Sequence, residues 1–549
     1  MSPRVSLAAL VCLAACGLAP ACGGSGGGGS GSGGDAAVVV VSSPDSRCAP
    51  LPGPFPPGLD LVPGMAGRAV VASFTPPALL PFDLGPVPPA ISAGGSVPAI
   101  PPDSDGDGCE EPSFAACAAT GLPFGPATSP QPDGVLAVSA GLALLTASSY
   151  EEVIFVSPAD GRLVRGVVST PAGFAPGQYV YLPPPGTSAS RTAVSTSGCA
   201  PVAPGTVDSR GDGMSPPAAA WCIPGTPSFR PTFTSGAAVA GGHLFVSMSN
   251  LADNTVPTNA QYFPGTLLVY DFDLSSGVPA VAPNAATPLI FTTGFNPTHV
   301  TAYRTASGRE LVLVSVSGAI GLRADDPATP AIESGGIGLT GASIDVIDAL
   351  TLRLLATVPL GLVGLSSDRL AIDPTGRVAL AGTVLGRALY GIDLAPLDAL
   401  PAAPPLPLVL DGSSGPDARI FYAGFPFTIP ARADGAPAAT CGGYVVSADW
   451  NAAGSRVYAT EFCDGTLATL TADLSGSPSL AELRSGRFRF LSLDAVFAPV
   501  SAASVGKPRA PGSLRVRSGR PGIDYTGPDV FVLVGNPEGL LCGIRVESR

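Results

Sequence analysis

The feature that most constrains the fold of this 549-residue chain is a short phrase that recurs along its second half. Each copy is an apolar, strand-like run, and three of the four copies end in Asp. The copies occupy residues 265–271, 342–348, 387–393 and 465–471. One step between copies fits the roughly 40–50 residues of a compact repeat, and the other two steps are longer. The sequence therefore predicts β-structured repeats that carry insertions.

A second phrase joins two strands across a tight turn, and it occurs at residues 368–380 and 446–460. Each turn has Pro or Asn first, then Gly, then Arg. Together the two phrases resemble the blades of YVTN and surface-layer β-propellers, whose repeats carry a Pro-Asp-Gly turn followed by a strand that ends Val-Ile-Asp. The resemblance is clearest over residues 237–475, where Thr375 and Ala452 stand in place of the Asp of the family turn.

The resemblance implies an all-β β-propeller, and we expect seven blades, with six to eight compatible with the spacing. Short apolar runs bounded by Gly and Pro agree with this expectation, and convincing amphipathic helices are absent from the pattern. We predict that the propeller covers residues 48–549. Composition rich in Pro, Gly and Ala predicts long loop insertions near residues 76–131, 183–236 and 397–437.

The N-terminus is typical of an export signal. One positive charge, Arg4, precedes an apolar run over residues 5–15 that is too short to span a bilayer. The run ends in Leu-Ala-Ala, and Cys16 comes next. This Leu-Ala-Ala-Cys resembles the lipobox of bacterial lipoproteins, which implies cleavage after residue 15 and a lipid on Cys16. Lipidation of Cys22 and ordinary secretion are the alternatives.

Residues 16–47 are expected to form a tether, because residues 23–34 contain only Gly and Ser and such a segment is a flexible coil. Gly17 follows the proposed lipidated Cys16, whereas an Asp at that position favours retention in the inner membrane of enteric-type envelopes. The sequence thus predicts a cell-envelope protein that is anchored to a membrane, with the outer membrane favoured.

Of the eleven cysteines, eight lie beyond the signal region, and an even number in an exported chain predicts disulfides. The eight candidates are Cys48, Cys109, Cys117, Cys199, Cys222, Cys441, Cys463 and Cys542. Proximity along the chain suggests the pairs 109–117, 199–222 and 441–463, which leaves Cys48 with Cys542. Many other connectivities, and free buried thiols, stay open.

Alternating carboxylates at Asp103, Asp105 and Asp107 indicate a Ca²⁺ site, because such a spacing converges oxygen ligands on a hard cation. The segment resembles the first half of an EF-hand-type loop or a thrombospondin type-3 repeat. Phe114 stands where an EF-hand has its bidentate Glu, and Glu110 and Glu111 are candidate substitutes. The alternative is a solvated acidic turn without a metal.

The two histidines, His243 and His299, are expected to be structural, since each lies at or near a strand start. Paired carboxylates could support hydrolysis, but the repeat places most of the candidates at strand ends and turns. These candidates are Asp271, Asp345, Asp348, Asp373, Asp393 and Asp449.

The formal net charge is −13 and the chain has no basic run, which argues against nucleic acid as a partner. We expect a lipid-anchored module of the envelope that binds a protein or glycan, with catalysis less expected. The alternatives are a lactonase-like hydrolase with a site in the central channel, and a structural envelope protein. Because one fold hosts many functions, the fold does not decide among them.

Overall fold

The structure is a computed structural model. Apart from short gaps, it describes residues 41–92, 132–169, 180–181, 192–193, 234–321, 332–410, 427–429, 444–475, 490–498, 510–516 and 530–545. These residues form seven large, mainly antiparallel sheets that pack against one another in a ring, together with three small sheets. The one helical segment among them is a 3₁₀ helix at Ala395–Ala399. The predicted all-β, seven-bladed propeller is thus confirmed.

Blades are numbered in chain order, and their strands are given from the channel outwards. Blade 1 contains Gly58–Leu61, Arg68–Ser73, Ala78–Asp83 and Ala90–Ile91. Blade 2 contains Gly134–Ser139, Leu142–Ala147, Glu152–Val156 and Leu163–Ser169. Blade 3 contains Thr234–Ala240, His243–Met248, Pro264–Asp273 and an outer strand broken into Ala280–Pro283 and Leu289–Phe295. Blade 4 contains Pro297–Arg304, Glu310–Val316, Ala342–Asp348, Arg353–Gly361 and a fifth, parallel strand, Leu408–Val409.

The remaining blades are built in the same way. Blade 5 contains Ala371–Ile372, Val378–Gly382, Ala388–Asp393 and Phe427–Thr428. Blade 6 contains Val445–Trp450, Arg456–Glu461, Thr466–Ala472, Leu491–Phe497 and a parallel fifth strand, Val41–Ser42. Blade 7 contains Ala510–Val516, Val530–Gly535, Leu540–Arg545 and, outermost, Asp45–Pro50 from the N-terminal part of the chain.

The recurring phrase is the third strand of blades 3 to 6, and the second phrase is the hairpin between the first and second strands of blades 5 and 6. In blades 4 and 5 the repeated Asp fixes the turn that follows the third strand. Asp348 Oδ1 accepts the N–H groups of Leu350 and Thr351, and Asp393 Oδ1 accepts that of Ala395. In blade 3 the strand continues to Asp273, which accepts the N–H of Ser275. The Asp at the end of the phrase thus records a turn requirement in blades 4 and 5.

Blade 7 closes the ring by combining strands from both ends of the chain. Asp45–Pro50 pairs along the whole of Leu540–Arg545, and the facing Cys48 and Cys542 form a disulfide between residues 494 positions apart. Cys48 and Cys542 are the two cysteines that remain when the other six candidates are paired by proximity along the chain. The closure removes the open sheet edges that the first and last blades would otherwise expose.

Apolar side chains from the facing sheets of neighbouring blades form the core. Leu144 and Phe155 of blade 2 pack with Val246 and Phe291 of blade 3, and all four are buried. Each blade therefore buries one face against the blade before it and one against the blade after it. No helix in the described part of the chain is long and apolar enough to cross a membrane.

The ring has two ends with different connections. The turns that join first to second strands, and third to outer strands, lie at one end, which we call the turn face. The links between second and third strands, and from one blade to the next, lie at the other end, the insertion face. The strands that flank the two longest intervals between consecutive blades, residues 92–133 and 170–233, end and begin at the insertion face.

Composition predicted insertions near residues 76–131, 183–236 and 397–437, and some residues of these ranges belong to blade strands. The parts of these ranges that belong to blades are Ala78–Asp83, Ala90–Ile91, Thr234–Ala240, Leu408–Val409 and Phe427–Thr428. The proline content predicted a loop here, but Pro81 lies within the strand Ala78–Asp83. Its carbonyl accepts Ser92 N–H on the outer side, so its missing N–H also faces the short outer edge and costs no ladder hydrogen bond.

Short strands inside the links add structure to the insertion face. One such sheet has three strands. Two of them, Leu251–Asp253 and Gln261–Tyr262, lie between the second and third strands of blade 3, and the third is Ile320–Gly321 of blade 4. We call this the accessory sheet. Its parallel pairing joins the links of two adjacent blades above the ring.

Two adjacent glycines provide a test of how closely the blades approach each other. Gly241 has φ +60, and a Cβ there would lie 2.7 Å from the Ala349 carbonyl oxygen of blade 4. Gly242 has φ +76 with nothing within 4 Å of its Cβ position. We expect Gly241→Ala to lower the free energy of unfolding by about 2–3 kcal/mol, from backbone strain and this clash. Gly242→Ala, with strain alone, should cost about 1 kcal/mol in the same urea titration. Equal losses would contradict the close approach.

Candidate functional site: the central channel and the insertion face

An arginine crosses the central channel. Arg369 lies just before the short first strand of blade 5, and its Nη1 is 3.0 Å from Asp60 Oδ1 on the first strand of blade 1. Its Nη2 is 3.9 Å from Asp449 Oδ2 on the first strand of blade 6. Blades 1 and 5 are not neighbours in the ring, so the guanidinium joins distant parts of the channel wall. We call these three residues the channel cluster.

Asp60 is the buried member of the channel cluster, with a side chain 6% exposed. Besides Arg369, its carboxylate accepts the N–H of Leu61 and, through Oδ2, that of Ala137 on blade 2, each at 3.0 Å. Burying a carboxylate is costly unless it is paired and hydrogen-bonded, and Asp60 is both. One side chain thus ties blades 1, 2 and 5 together.

The segment that carries Arg369 is itself held from both sides. Thr298 of blade 4 donates to the Ser366 carbonyl at 3.0 Å, and Leu370 N–H donates to a blade 4 hydroxyl at 3.1 Å. On the other side, Ser447 of blade 6 donates to the Asp368 carboxylate. These contacts position the Arg369 backbone, so the guanidinium is aimed into the channel by its neighbours.

The chemistry of the channel cluster is that of a structural tie. One guanidinium lies between two carboxylates, and Arg369 keeps about a third of its side-chain surface exposed while Asp449 keeps 17%. A hydrolase site would need a carboxylate poised towards substrate, whereas Asp60 and Asp449 both face Arg369. In the described part of the chain, no group of three or more His, Cys, Asp or Glu residues could hold a metal ion.

Most of the candidate acids take the turn roles that the repeat predicts. Asp373 accepts the N–H groups of Thr375, Arg377 and Val378, which closes the first hairpin of blade 5. Asp348 also pairs with Arg309, Nε to Oδ2, at 2.7 Å. Burial alone would raise the pKa of Asp348, but the Thr351 N–H and the Arg309 guanidinium outweigh it and lower the pKa.

Two of these acids depart from the strand-end expectation. Asp449 belongs to the channel cluster. Asp345 lies in the middle of the third strand of blade 4 and is fully buried between blades. A repeat identifies positions that recur, but it carries no signal for which side chain is enclosed by the next blade. The sequence therefore could not distinguish Asp345 from Asp348.

The histidines lie in strands, as expected. His299 is on the first strand of blade 4, close to Gly236 of blade 3. His243 opens the second strand of blade 3, with its Nδ1 3.2 Å from Asp271 Oδ1. Asp271 also accepts from Asn284 at 2.6 Å and borders a shallow groove of about 500 Å³ at the turn face. These contacts give His243 and Asp271 a structural role at the end of blade 3.

Several predicted site residues lie outside the described residues and stay predictions. They are the lipidation candidates Cys16 and Cys22, the Ca²⁺ candidates Asp103, Asp105 and Asp107, and the cysteines Cys109, Cys117, Cys199, Cys222, Cys441 and Cys463. Conversely, sequence reasoning missed Asp60 and Arg369. Arg369 lies within the second phrase, but Asp60 belongs to no repeated phrase or known motif, so no sequence signal could have paired the two residues.

Comparison with known proteins places the likeness at the level of fold. Hydrazine synthase of Kuenenia stuttgartiensis is similar over 91% of this chain and 98% of its own, with 10% identity and a TM-score of 0.48. The β-propeller domain of Myceliophteria thermophila Cps50 (Swd1) is similar over 90% and 98%, with 10% identity and a TM-score of 0.37. The periplasmic gluconolactonase PpgL of Pseudomonas aeruginosa is similar over 57% and 68%, with 15% identity and a TM-score of 0.32.

No family model matches the chain, and no curated protein matches it. Identities this low concern the fold alone, and no activity is carried over from these structures.

Proposed function

We propose that this chain is a lipid-anchored β-propeller of the cell envelope that binds a protein or glycan partner through its insertion face. The observation that carries the proposal is the accessory sheet. It is a layer of secondary structure built from the links of blades 3 and 4 at one end of the ring. Loops held on a rigid scaffold are where propellers and other β-folds carry binding residues.

The accessory sheet adds nothing that the ring needs for closure. The seven blades complete their own sheets, and blade 7 is closed by Asp45–Pro50 and by the disulfide. The channel cluster ties the wall from within. A structural layer that is not needed for closure, and that extends one face only, supports a role in recognition.

The position of the tether is compatible with access to that face. Val41–Ser42 pairs with the outer strand of blade 6, so the chain arrives at the rim of the ring. Neither face is crossed by these residues. A partner could therefore approach the insertion face while the lipid holds the rim near the membrane.

The anchor is tested by mass spectrometry of the mature N-terminus and by membrane fractionation. We expect a lipid-modified Cys16 at the N-terminus, and we expect Cys16→Ser to abolish the modification and release the protein from membranes. Cys22→Ser is the matched control and should remain anchored. If Cys22→Ser releases the protein and Cys16→Ser does not, the lipid is on the other cysteine. Release by neither would contradict a lipid anchor.

Binding is tested by photo-crosslinking in cells from two positions on the same blade. Ala252 belongs to the accessory sheet, and the exposed Ser276 lies in a turn of the turn face. We expect a photoreactive residue at 252 to give adducts with envelope proteins or cell-wall fragments, and the same residue at 276 to give none. Equal labelling from both positions, or no adduct from 252, would contradict binding through the insertion face.

A further inference from the structure

A carboxyl group is enclosed between blades 3 and 4 without a cation beside it. Asp345 has no exposed surface and lies opposite Val314 on one neighbouring strand and Thr357 on the other. Its Oδ2 accepts Thr293 N–H at 2.6 Å, and its Oδ1 contacts Thr293 Oγ1 at 2.6 Å. Thr293 belongs to the outer strand of blade 3, so these contacts cross the interface between the two blades.

Hydroxyl groups complete the surroundings. Thr293 Oγ1 is also 3.2 Å from Thr357 Oγ1 and 3.5 Å from Ser343 Oγ, and all three residues are buried. A protonated Asp345 can donate to Thr293 Oγ1, which in turn can donate to Thr357 Oγ1. The acid proton and the Thr293 hydroxyl hydrogen then each have an acceptor within the cluster.

The charged groups on the strands packed against Asp345 lie away from it. Leu289–Phe295 of blade 3 has no ionisable residue. On the strand of Asp345 and the two strands paired with it, the other charged residues are Glu310, Arg353 and Asp348, each at a strand end. Glu310 accepts a hydrogen bond from Gly241 N–H, and Asp348 forms an ion pair with Arg309. No full charge among these strands compensates an ionised Asp345.

We infer that Asp345 is a proton-operated latch that holds blade 3 to blade 4 most firmly when its carboxyl group is protonated. Burial raises the pKa of Asp345, and the hydrogen bonds from Thr293, Thr357 and Ser343 offset this only in part. When the interface opens, water reaches the carboxyl and its pKa returns towards the ordinary value. The closed interface therefore binds the proton more tightly than the open one.

The direction of the pH effect follows from that difference. The stabilisation is fully present below the ordinary pKa of an aspartate and is lost as the pH rises through the raised pKa of the closed state. Between those two values, the equilibrium constant for opening grows by up to about tenfold per pH unit, and above them it levels off. The latch concerns the blade interface, so it does not depend on the binding function proposed above.

Hydrogen exchange of residues 289–295 in the full chain tests the latch, after correction for the intrinsic pH dependence of exchange. We expect protection of the Thr293 amide to fall as the pH is raised from about 4, where an ordinary Asp is half ionised. Asp345→Asn should remove this dependence, because an amide keeps the shape but does not titrate. Asp494→Asn, an exposed acid on blade 6, is the matched control and should behave like the wild type. Parallel pH profiles for wild type and Asp345→Asn would overturn the proposal.

Infrared spectroscopy provides a second measurement, in which the wild-type spectrum alone can refute the latch. At about pH 6 ordinary Asp and Glu side chains are each about 98% or more ionised, so a protonated carboxyl stretching band that persists in the wild type marks a buried acid of raised pKa. We expect such a band, and we expect it to disappear in Asp345→Asn. A wild-type spectrum without a protonated carboxyl band at that pH would refute the latch even if the variant fails to fold.

Discussion

A chain with Ser at both Cys48 and Cys542 is expected to lose roughly 5 kcal/mol of unfolding free energy, the largest effect of any substitution considered. The disulfide joins residues 494 positions apart, so it removes the conformational freedom of nearly the whole domain from the unfolded chain. It also fixes Asp45–Pro50 as the outer strand of blade 7. Without the bond, that strand is held by its ladder to Leu540–Arg545 and by the packing of Ala49 into the core between blades 1 and 7.

The measurement is urea unfolding without reductant, combined with limited trypsin digestion at Arg47 of the same strand. The double variant should unfold at lower urea and be cut at Arg47 while the rest of the ring is intact. Pro50→Ser changes an exposed residue of that strand and serves as the control. A double variant that unfolds at the same urea concentration as the wild type would show that the strand ladder and the packing of Ala49 close the ring without the disulfide.

Arg369→Met is expected to lower the unfolding free energy by about 2–3 kcal/mol. Breaking a buried ion pair usually costs about 3–5 kcal/mol because the remaining charge is left unpaired. The smaller value applies because Arg369 keeps a third of its side-chain surface in contact with solvent, which screens the pair. Asp60, in contrast, is nearly fully enclosed and would lose the guanidinium that lies 3.0 Å from its Oδ1.

A double-mutant cycle separates the ion pair from simple loss of packing. Asp60→Asn in the Arg369→Met background should recover part of the loss, with a coupling energy of about 1–2 kcal/mol. Arg162, whose side chain is 81% exposed beside Asp160, gives the control variant Arg162→Met, which should change stability little. Additive losses for Asp60 and Arg369 would mean that the contact across the channel contributes nothing to the fold.

Much of the fold was predictable because the blades of a propeller need similar turns and hairpins, which leave similar residues at recurring positions in the sequence. Blades 4 and 5 must each turn after their third strands, and an Asp that accepts the following N–H groups, Asp348 or Asp393, solves that problem in both. The hairpin turn held by Asp373 follows the same logic. Such local solutions recur in the sequence, so they can be read without knowing the tertiary structure. The YVTN-type resemblance that they suggested stays a prediction, since the propeller fold alone is established.

The exact extent of the insertions was less predictable. Short outer strands such as Ala90–Ile91 and Phe427–Thr428 contribute only two residues each to their sheets. A strand of two residues is too short to show the alternation of apolar and polar residues that predicts a strand. The residues around these two strands are rich in Pro, Gly and Ala. Only the pairing partner across the sheet identifies such a segment as a strand.

The channel cluster and the latch were not predictable at all. Arg369 and Asp60 are 309 positions apart, and they meet because the ring brings the first strands of blades 1 and 5 around one channel. Asp345 and Asp348 belong to the same phrase, yet one is enclosed by blade 3 and the other caps a turn.

The sequence by itself determined the all-β blades, their turns and the predicted signal and tether, because each depends on contacts or chemistry within a few residues. The closing of the ring decided the rest. It set the partner of Cys48, the pairing of Arg369 across the channel, the burial of Asp345 and the face that carries the accessory sheet. These features depend on which blades become neighbours in space, and that information is spread over the whole chain.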